Sequence, residues 1–153
     1  MSISGQKAVV FGGTSGIGLS TVEMLTKEGV SVVAIGRDSA KADVLPEGVQ
    51  FESCDVRDSD AVEALLSSLA PFDILVSAAT GGSRAVGPFL EMDLDGYKAS
   101  FDKLWGYANV VRYGAKHVND GGSITLVSGA PARNCRPGPV SYTHLTLPTK
   151  RIV

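Results

Sequence analysis

The sequence predicts an α/β fold, a parallel sheet covered by helices on both faces. Three observations carry this. Five-residue apolar runs alternate with amphipathic stretches of helical spacing along most of the chain. Strands that alternate with helices form βαβ units, whose sheets are parallel and buried on both sides. Glycine is enriched, at 18 of 153 residues, against a usual ~7%, and a cluster of it lies where the first strand gives way to the first helix.

Taken in order, Lys7 to Phe11 (KAVVF) is rich in β-branched residues and ends in glycines, so it reads as the first strand. Gly16 to Lys27 places Ile17, Val22 and Leu25 near helical spacing, and Glu28-Gly29 reads as a helix end. Ser31 to Ile35 (SVVAI) is a second buried strand. Ser39 to Val44 forms a short helix before the turn signal Pro46-Glu47-Gly48. Val49 to Ser53 is the third strand. Ser59 or Asp60 caps a helix that runs through Leu69, with Pro71 behind it. Asp73 to Ser77 (DILVS) is the fourth strand, and Ala78 to Gly87 is a glycine-rich loop. A long helical stretch, with room for a break, runs from about Leu94 to Val118. Asn119-Asp120-Gly121-Gly122 then turns the chain into Ser123 to Val127 (SITLV), the fifth strand. No internal repeat and no interdomain linker interrupts this order.

Composition narrows the function classes. A length of 153 residues fits one domain. The chain has 44% hydrophobic and 20% charged residues, which is ordinary for a globular domain. Fourteen basic residues stand against 16 acidic ones with no basic block, which argues against bulk binding to nucleic acid or anionic membrane. No run is long and apolar enough to span a bilayer. The polar start, Met1 to Gly5, lacks the features of a secretory signal, so a cytoplasmic location is expected. Cys54 and Cys135 show neither disulfide nor zinc spacing, and with only His117 and His144 beside them no metal site is expected.

The chemistry begins at Phe11-Gly12-Gly13-Thr14-Ser15-Gly16-Ile17-Gly18. A glycine at the strand end permits a tight turn, here Gly12. The next, Gly16, lets the backbone approach a pyrophosphate. The last, Gly18, lets the helix pack on the strand. The helix N-terminus then offers N–H groups and a positive dipole end to phosphates. This G-x-x-x-G-x-G turn after a first strand resembles the short-chain dehydrogenase/reductase family over roughly Lys7 to Pro139, with Phe11 where the family usually has threonine.

The resemblance implies a Rossmann-type three-layer αβα fold with sheet order 3-2-1-4-5 and a site for NAD(H) or NADP(H). Gly12, Thr14, Ser15, Gly16, Ile17 and Gly18 are its expected phosphate-binding turn. Ile35-Gly36-Arg37 ends the second strand without the acidic residue that binds the ribose hydroxyls of NAD. Gly36 leaves room and Arg37 supplies a planar cation for a 2′-phosphate, so NADP is expected, with NAD possible. The competing reading of Arg37 is a solvated loop charge. Asp38 is expected to face solvent or cap the next helix. The resemblance further implies that Asp55 bonds the adenine edge and that Val56 packs beside it. Ser77-Ala78-Ala79-Thr80 stands where the family carries Asn-Asn-Ala-Gly. Ala78 and Ala79 are expected to pass the cofactor ribose, with Ser77 as a weaker substitute for the first asparagine.

Hydride exchange between an alcohol and nicotinamide needs a proton donor or acceptor at the substrate oxygen. By resemblance Ser128 holds that oxygen and Tyr142, 14 residues later, exchanges the proton. The family's lysine four residues after the tyrosine is absent, because Thr146 stands there. Aligned on Gly106, Lys103 occupies the position of a family asparagine in the long helix. We expect Lys103 to supply the missing ammonium, the competing reading being a surface lysine. A carbonyl or alcohol is the implied substrate, and contacts through this helix imply a dimer or tetramer. The non-enzymatic alternative is a dinucleotide-binding module without turnover.

The last stretch, Val140 to Val153, has neither a clear period nor turn logic. It resembles a translated sequencing-library adapter. The expected division is therefore an incomplete dinucleotide-binding domain over 1–139 and a non-native or irregular tail over 140–153. On this reading the chain is a fragment truncated after strand five. Its adenosine subsite is complete, its nicotinamide and substrate subsites are incomplete, and its exposed edge strand favours self-association.

Overall fold

The structure, a computed structural model, describes residues 2–79, 85 and 88–128. The strands are β1 (Lys7–Phe11), β2 (Ser31–Gly36), β3 (Gln50–Ser53), β4 (Phe72–Ser77) and β5 (Val118–Leu126). The helices are α1 (Gly16–Lys27), α2 (Ser59–Leu69), α3 (Leu94–Ala99) and α4 (Asp102–Gly114), joined by short 3-10 turns. The strands form one parallel sheet in the order β3-β2-β1-β4-β5. This is the expected order.

Side chains alternate across the sheet, so each strand feeds two cores. Val9 and Phe11 of β1 join Ile35, Leu75, Leu66 of α2 and Val110 of α4 on one face. Ala8 and Val10 join Val32, Ala34, Val76 and Val22 of α1 on the other. Phe11, Ile35, Leu66 and Leu75 are fully buried. Burial of a side chain of that size contributes about 1.5–3 kcal/mol. Phe11, in place of the family threonine, is thus a core residue.

Several boundaries differ from expectation for identifiable reasons. The cap of α2 is Asp58, one residue before Ser59, and its carboxylate accepts from Ala61 N at 3.0 Å. The long helical stretch divides into α3 and α4 at Ser100-Phe101. There the Ser100 hydroxyl donates to Gly96 O at 2.9 Å and accepts from Ala85 N at 3.2 Å, a side-chain bond that competes with the helical ladder. The expected turn at Asn119 to Gly122 is taken inside β5. Val118 pairs with Phe72, and the next pair is Ser123 with Ile74. Four residues therefore oppose Asp73 alone, as an extended bulge. Gly121 holds φ +79°, and Asn119 Nδ2 donates to Asp73 Oδ1 at 2.8 Å. β5 lies at the sheet edge, where Ile124 and Leu126 are exposed.

Among the described residues, no helix is long and apolar enough to cross a membrane. Among the same residues, no group of three His, Cys, Asp or Glu could hold a metal ion. The boundary expected at Pro139 and the tail after it lie outside the described residues.

Candidate functional site

A cleft opens at the carboxyl ends of β1, β2, β3 and β4. From β1 the chain winds outward through β2 and β3, then crosses to β4 on the other side. This reversal of strand order leaves a crevice beside β1, the usual ligand position in open α/β sheets. The cleft is lined by Gly12, Thr14, Ser15, Gly36, Arg37, Asp38, Lys41, Cys54, Asp55, Val56, Ala78 and Ala79.

The floor is backbone. Gly12 and Gly13 N–H groups both donate to Ile35 O, at 2.8 and 3.1 Å. Gly12 has φ +78°, and a Cβ on it would lie 2.7 Å from Ala79 N. The Ala78-Ala79 segment can cross there only because Gly12 has no side chain; Ala78 N then donates to Phe11 O at 2.8 Å. A Cβ on Gly18 would overlap Gly12 O, so α1 docks with its first turn directly on the strand end. Gly16 has φ +51° and open space beside it. Gly16, Ile17 and Gly18 belong to the turn but not to the cleft wall, and the Ile17 side chain is exposed. Ser15 stands at the N-cap of α1 without a side-chain cap bond, and the first turn has no acidic residue. That leaves the helix end suited to an anion.

The far wall carries the charges. Arg37 and Lys41 both line it. Asp38 accepts from Ala40 N at 3.1 Å and caps the 3-10 turn Ser39–Val44, as expected of it. The space that Gly36 leaves is taken by Thr14, whose Oγ1 would lie 2.9 Å from a Cβ there. Thr14 is buried.

Asp55 is bound at both oxygens by Arg57. Oδ1 accepts from the Arg57 backbone N and from Nε, each at 3.0 Å. Oδ2 accepts from Nε at 3.1 Å and from Nη2 at 2.6 Å. These hydrogen bonds hold the Asp55 carboxyl down to about 2, against burial, which works the other way. The folded-state value thus lies below the unfolded one of about 4. The pair's contribution is fully present above pH ~4 and is lost as pH falls toward 2. We expect the stability difference between wild type and Asp55→Asn, from urea unfolding, to shrink over that window. A difference constant from pH 6 to pH 2 excludes the pair as its source. Burial, with help from Asp58 and Asp55, pushes the Cys54 thiol up to about 11, so it lines the wall as a neutral group.

The expected reacting groups lie beyond β4. Val127 N donates to Ser77 O at 2.9 Å, which ties down the segment leading to exposed Ser128. Tyr107 of α4 is buried and donates its hydroxyl to Val127 O. Burial pushes that phenol up to about 12, so it stays protonated. Lys103 Nζ lies 5.4 Å from the centre of the Tyr107 ring, within cation–π range. Tyr107 thus connects Lys103 to the strand end that leads to Ser128. Ser77 is buried, and its hydroxyl has no hydrogen-bond partner among the described residues. Tyr142 and Thr146 lie outside the described residues.

Comparison with known proteins decides the family. A family model described as short chain dehydrogenase matches residues 6–144. The chain belongs to the short-chain dehydrogenase/reductase family. It is 37% identical to L-xylulose reductase of Mesocricetus auratus over 105 residues, 67% of this chain and 42% of the relative. Carbonyl reductase [NADPH] 2 of Sus scrofa is 29% identical over 150 residues, 94% of this chain and 61% of the relative. A solved structure, described as a short chain dehydrogenase/reductase family protein, superposes with a TM-score of 0.82 at 32% identity. That match covers 94% of this chain and 63% of the other. The chain therefore spans about two fifths to three fifths of the length of these relatives.

Around this cleft, sequence reasoning passed over four contributors. Gly13 abuts Ala34 Cβ, which a Cβ of its own would meet at 2.9 Å. Lys41 shares the wall with Arg37. Asn109 Nδ2 donates to Val56 O at 2.8 Å, and a Cβ on Gly106 would lie 2.7 Å from Val56 Cγ2. Arg57 adds an ion pair to Asp102 at 3.2 Å. One signal was available: Asp102, Gly106 and Asn109 fall at i, i+4 and i+7 on one helix face.

Proposed function

We propose that the chain is the cofactor-binding part of an NADP(H)-preferring oxidoreductase that interconverts a small carbonyl compound and its alcohol in the cytoplasm. The observation that carries this is the cleft. Its floor is bare backbone, where Ala78-Ala79 crosses Gly12 only because Gly12 lacks a Cβ, and one wall presents Arg37 together with Lys41. A dinucleotide fits these donors. The α1 N-terminus and the Gly12-to-Gly18 turn suit its pyrophosphate, and Arg37 suits a 2′-phosphate. Asp55 and Val56 suit its adenine, and Ala78-Ala79 its ribose. When bound, the cofactor supplies the hydride.

The chain's own residues supply the rest. Ser128 orients the substrate oxygen, the Tyr142 hydroxyl gives or takes its proton, and Lys103 provides positive charge that favours the ionised phenol. Two relatives are named as reductases, one of them with NADPH in its name. The whole protein assembles as a dimer or tetramer in this proposal.

The test is fluorescence titration with NADPH and NADH, followed by NADPH oxidation with small ketoses and diketones. Saturable binding with NADPH favoured, and turnover lost in Lys103→Ala while binding remains, is the expected result. Binding without turnover in the full-length protein supports a non-catalytic dinucleotide module instead. Failure to bind either nucleotide removes both readings.

A further inference from the structure

The contacts of Arg57 exceed what an ordinary surface ion pair requires. Its backbone N–H and two of its guanidinium nitrogens occupy both oxygens of Asp55, and its third, Nη1, reaches Asp102 Oδ2 at 3.2 Å. Asp102 opens α4 and immediately precedes Lys103. We propose that Arg57 is a positioning residue for base recognition. It fixes the plane of the Asp55 carboxylate so that one lone pair meets an exocyclic amine, and so selects an adenine over a 6-oxopurine. The proposal rests on the adenine role of Asp55 in the function proposed above.

The argument is one of acceptor capacity. A carboxylate offers about four lone-pair directions. Arg57 occupies both directions at each oxygen, but Nε is shared, at 3.0 Å from Oδ1 and 3.1 Å from Oδ2. If Nε commits to Oδ1, one direction on Oδ2 opens while Nη2 keeps the group in place at 2.6 Å. The freed lone pair is a charged acceptor on the cleft wall. It suits a 6-amino donor and repels a 6-oxo group. Without the guanidinium fork, only the backbone N–H of residue 57 still holds Oδ1, and Oδ2 of the Asp55 side chain, about a third exposed, is left unfixed and turns toward water. A lysine in place of Arg57 keeps the charge but loses the planar fork.

The test compares dissociation constants for NADPH and for its hypoxanthine analogue, in which the 6-amino group is oxo, on the 153-residue chain. Wild type should favour NADPH by about tenfold or more, as one charge-assisted bond is lost. Arg57→Ala and Arg57→Lys should both bring the ratio to within about twofold of unity. Asp102→Asn, which keeps the Asp55 fork, should leave the wild-type ratio intact. A ratio unchanged in Arg57→Lys overturns the proposal, because charge alone then suffices. An equal loss in Asp102→Asn also overturns it, since the effect then runs through the docking of α4. If Arg57→Ala binds neither nucleotide, the lysine variant decides. Wild type that binds neither nucleotide shows that the dinucleotide reading itself has failed. Wild type that binds both equally retains that reading and overturns this inference alone.

Discussion

Gly18→Ala is expected to lower stability by about 3 kcal/mol or more and to abolish nucleotide binding. A Cβ on Gly18 would overlap Gly12 O and lie 3.2 Å from Gly13 N. Both are backbone atoms of the turn that forms the cleft floor, so no side-chain rotation relieves the overlap. Either α1 moves off β1, or the turn is displaced into the crevice. Overpacking against a rigid neighbour costs typically ~1–3 kcal/mol, and more where backbone must shift. Gly16→Ala is the control. Unlike Gly18 it has a positive φ, +51°, and it has open space, so only the left-handed backbone cost of about 1–2 kcal/mol applies. Urea unfolding of both variants measures the difference. If Gly18→Ala unfolds with the Gly16→Ala midpoint, the helix does not rest on the strand end as described.

Arg37→Ala should raise the dissociation constant for NADPH by about 10- to 100-fold, because a guanidinium–phosphate contact is charge-assisted and bidentate. NADH has no 2′-phosphate, and its affinity should change by less than about threefold. Lys41→Ala should act in the same direction but more weakly, since an exposed ammonium is a hydrated point charge. Added salt should weaken NADPH more than NADH in wild type, and equally in the double variant. If Arg37→Ala leaves the NADPH-to-NADH ratio unmoved, Arg37 is a solvated loop charge and the cofactor preference must be reassigned.

Much of the scaffold was legible in the sequence because its signals are local. The bounds of β1 and α1 match their residues because an uninterrupted apolar run ends in glycine, and a helical stripe ends at Glu28-Gly29. Gly29, with φ +78°, takes the left-handed conformation that stops the helix. The cap of α2, expected at Ser59 or Asp60, lies one or two residues earlier because Asp58, Ser59 and Asp60 are all good caps, and only the bond to Ala61 N distinguishes them. The break between α3 and α4 was not placed, because Ser100 acts through Ala85, 15 residues away in sequence.

The site divides in the same way. Gly12, Gly16 and Gly18 could be assigned from their order after a strand, since each answers a local steric demand. Resemblance to known relatives added Asp55, Ser128 and Lys103, which carry no local signal of their own. Arg57, Asn109 and the hydroxyl of Tyr107 could not be found that way. Their partners Asp102, Val56 and Val127 lie 45, 53 and 20 residues away. The sequence by itself determined the α/β class, the glycine-rich turn after β1 and a cation at the end of β2, because periodicity and glycine placement are properties of neighbouring residues. Only the tertiary structure decided that the bulge sits inside β5, that Thr14 fills the space beside Gly36 and that Arg57 reaches Asp102 at the start of α4. Those outcomes depend on which distant backbone and side-chain groups the parallel sheet brings within hydrogen-bonding distance.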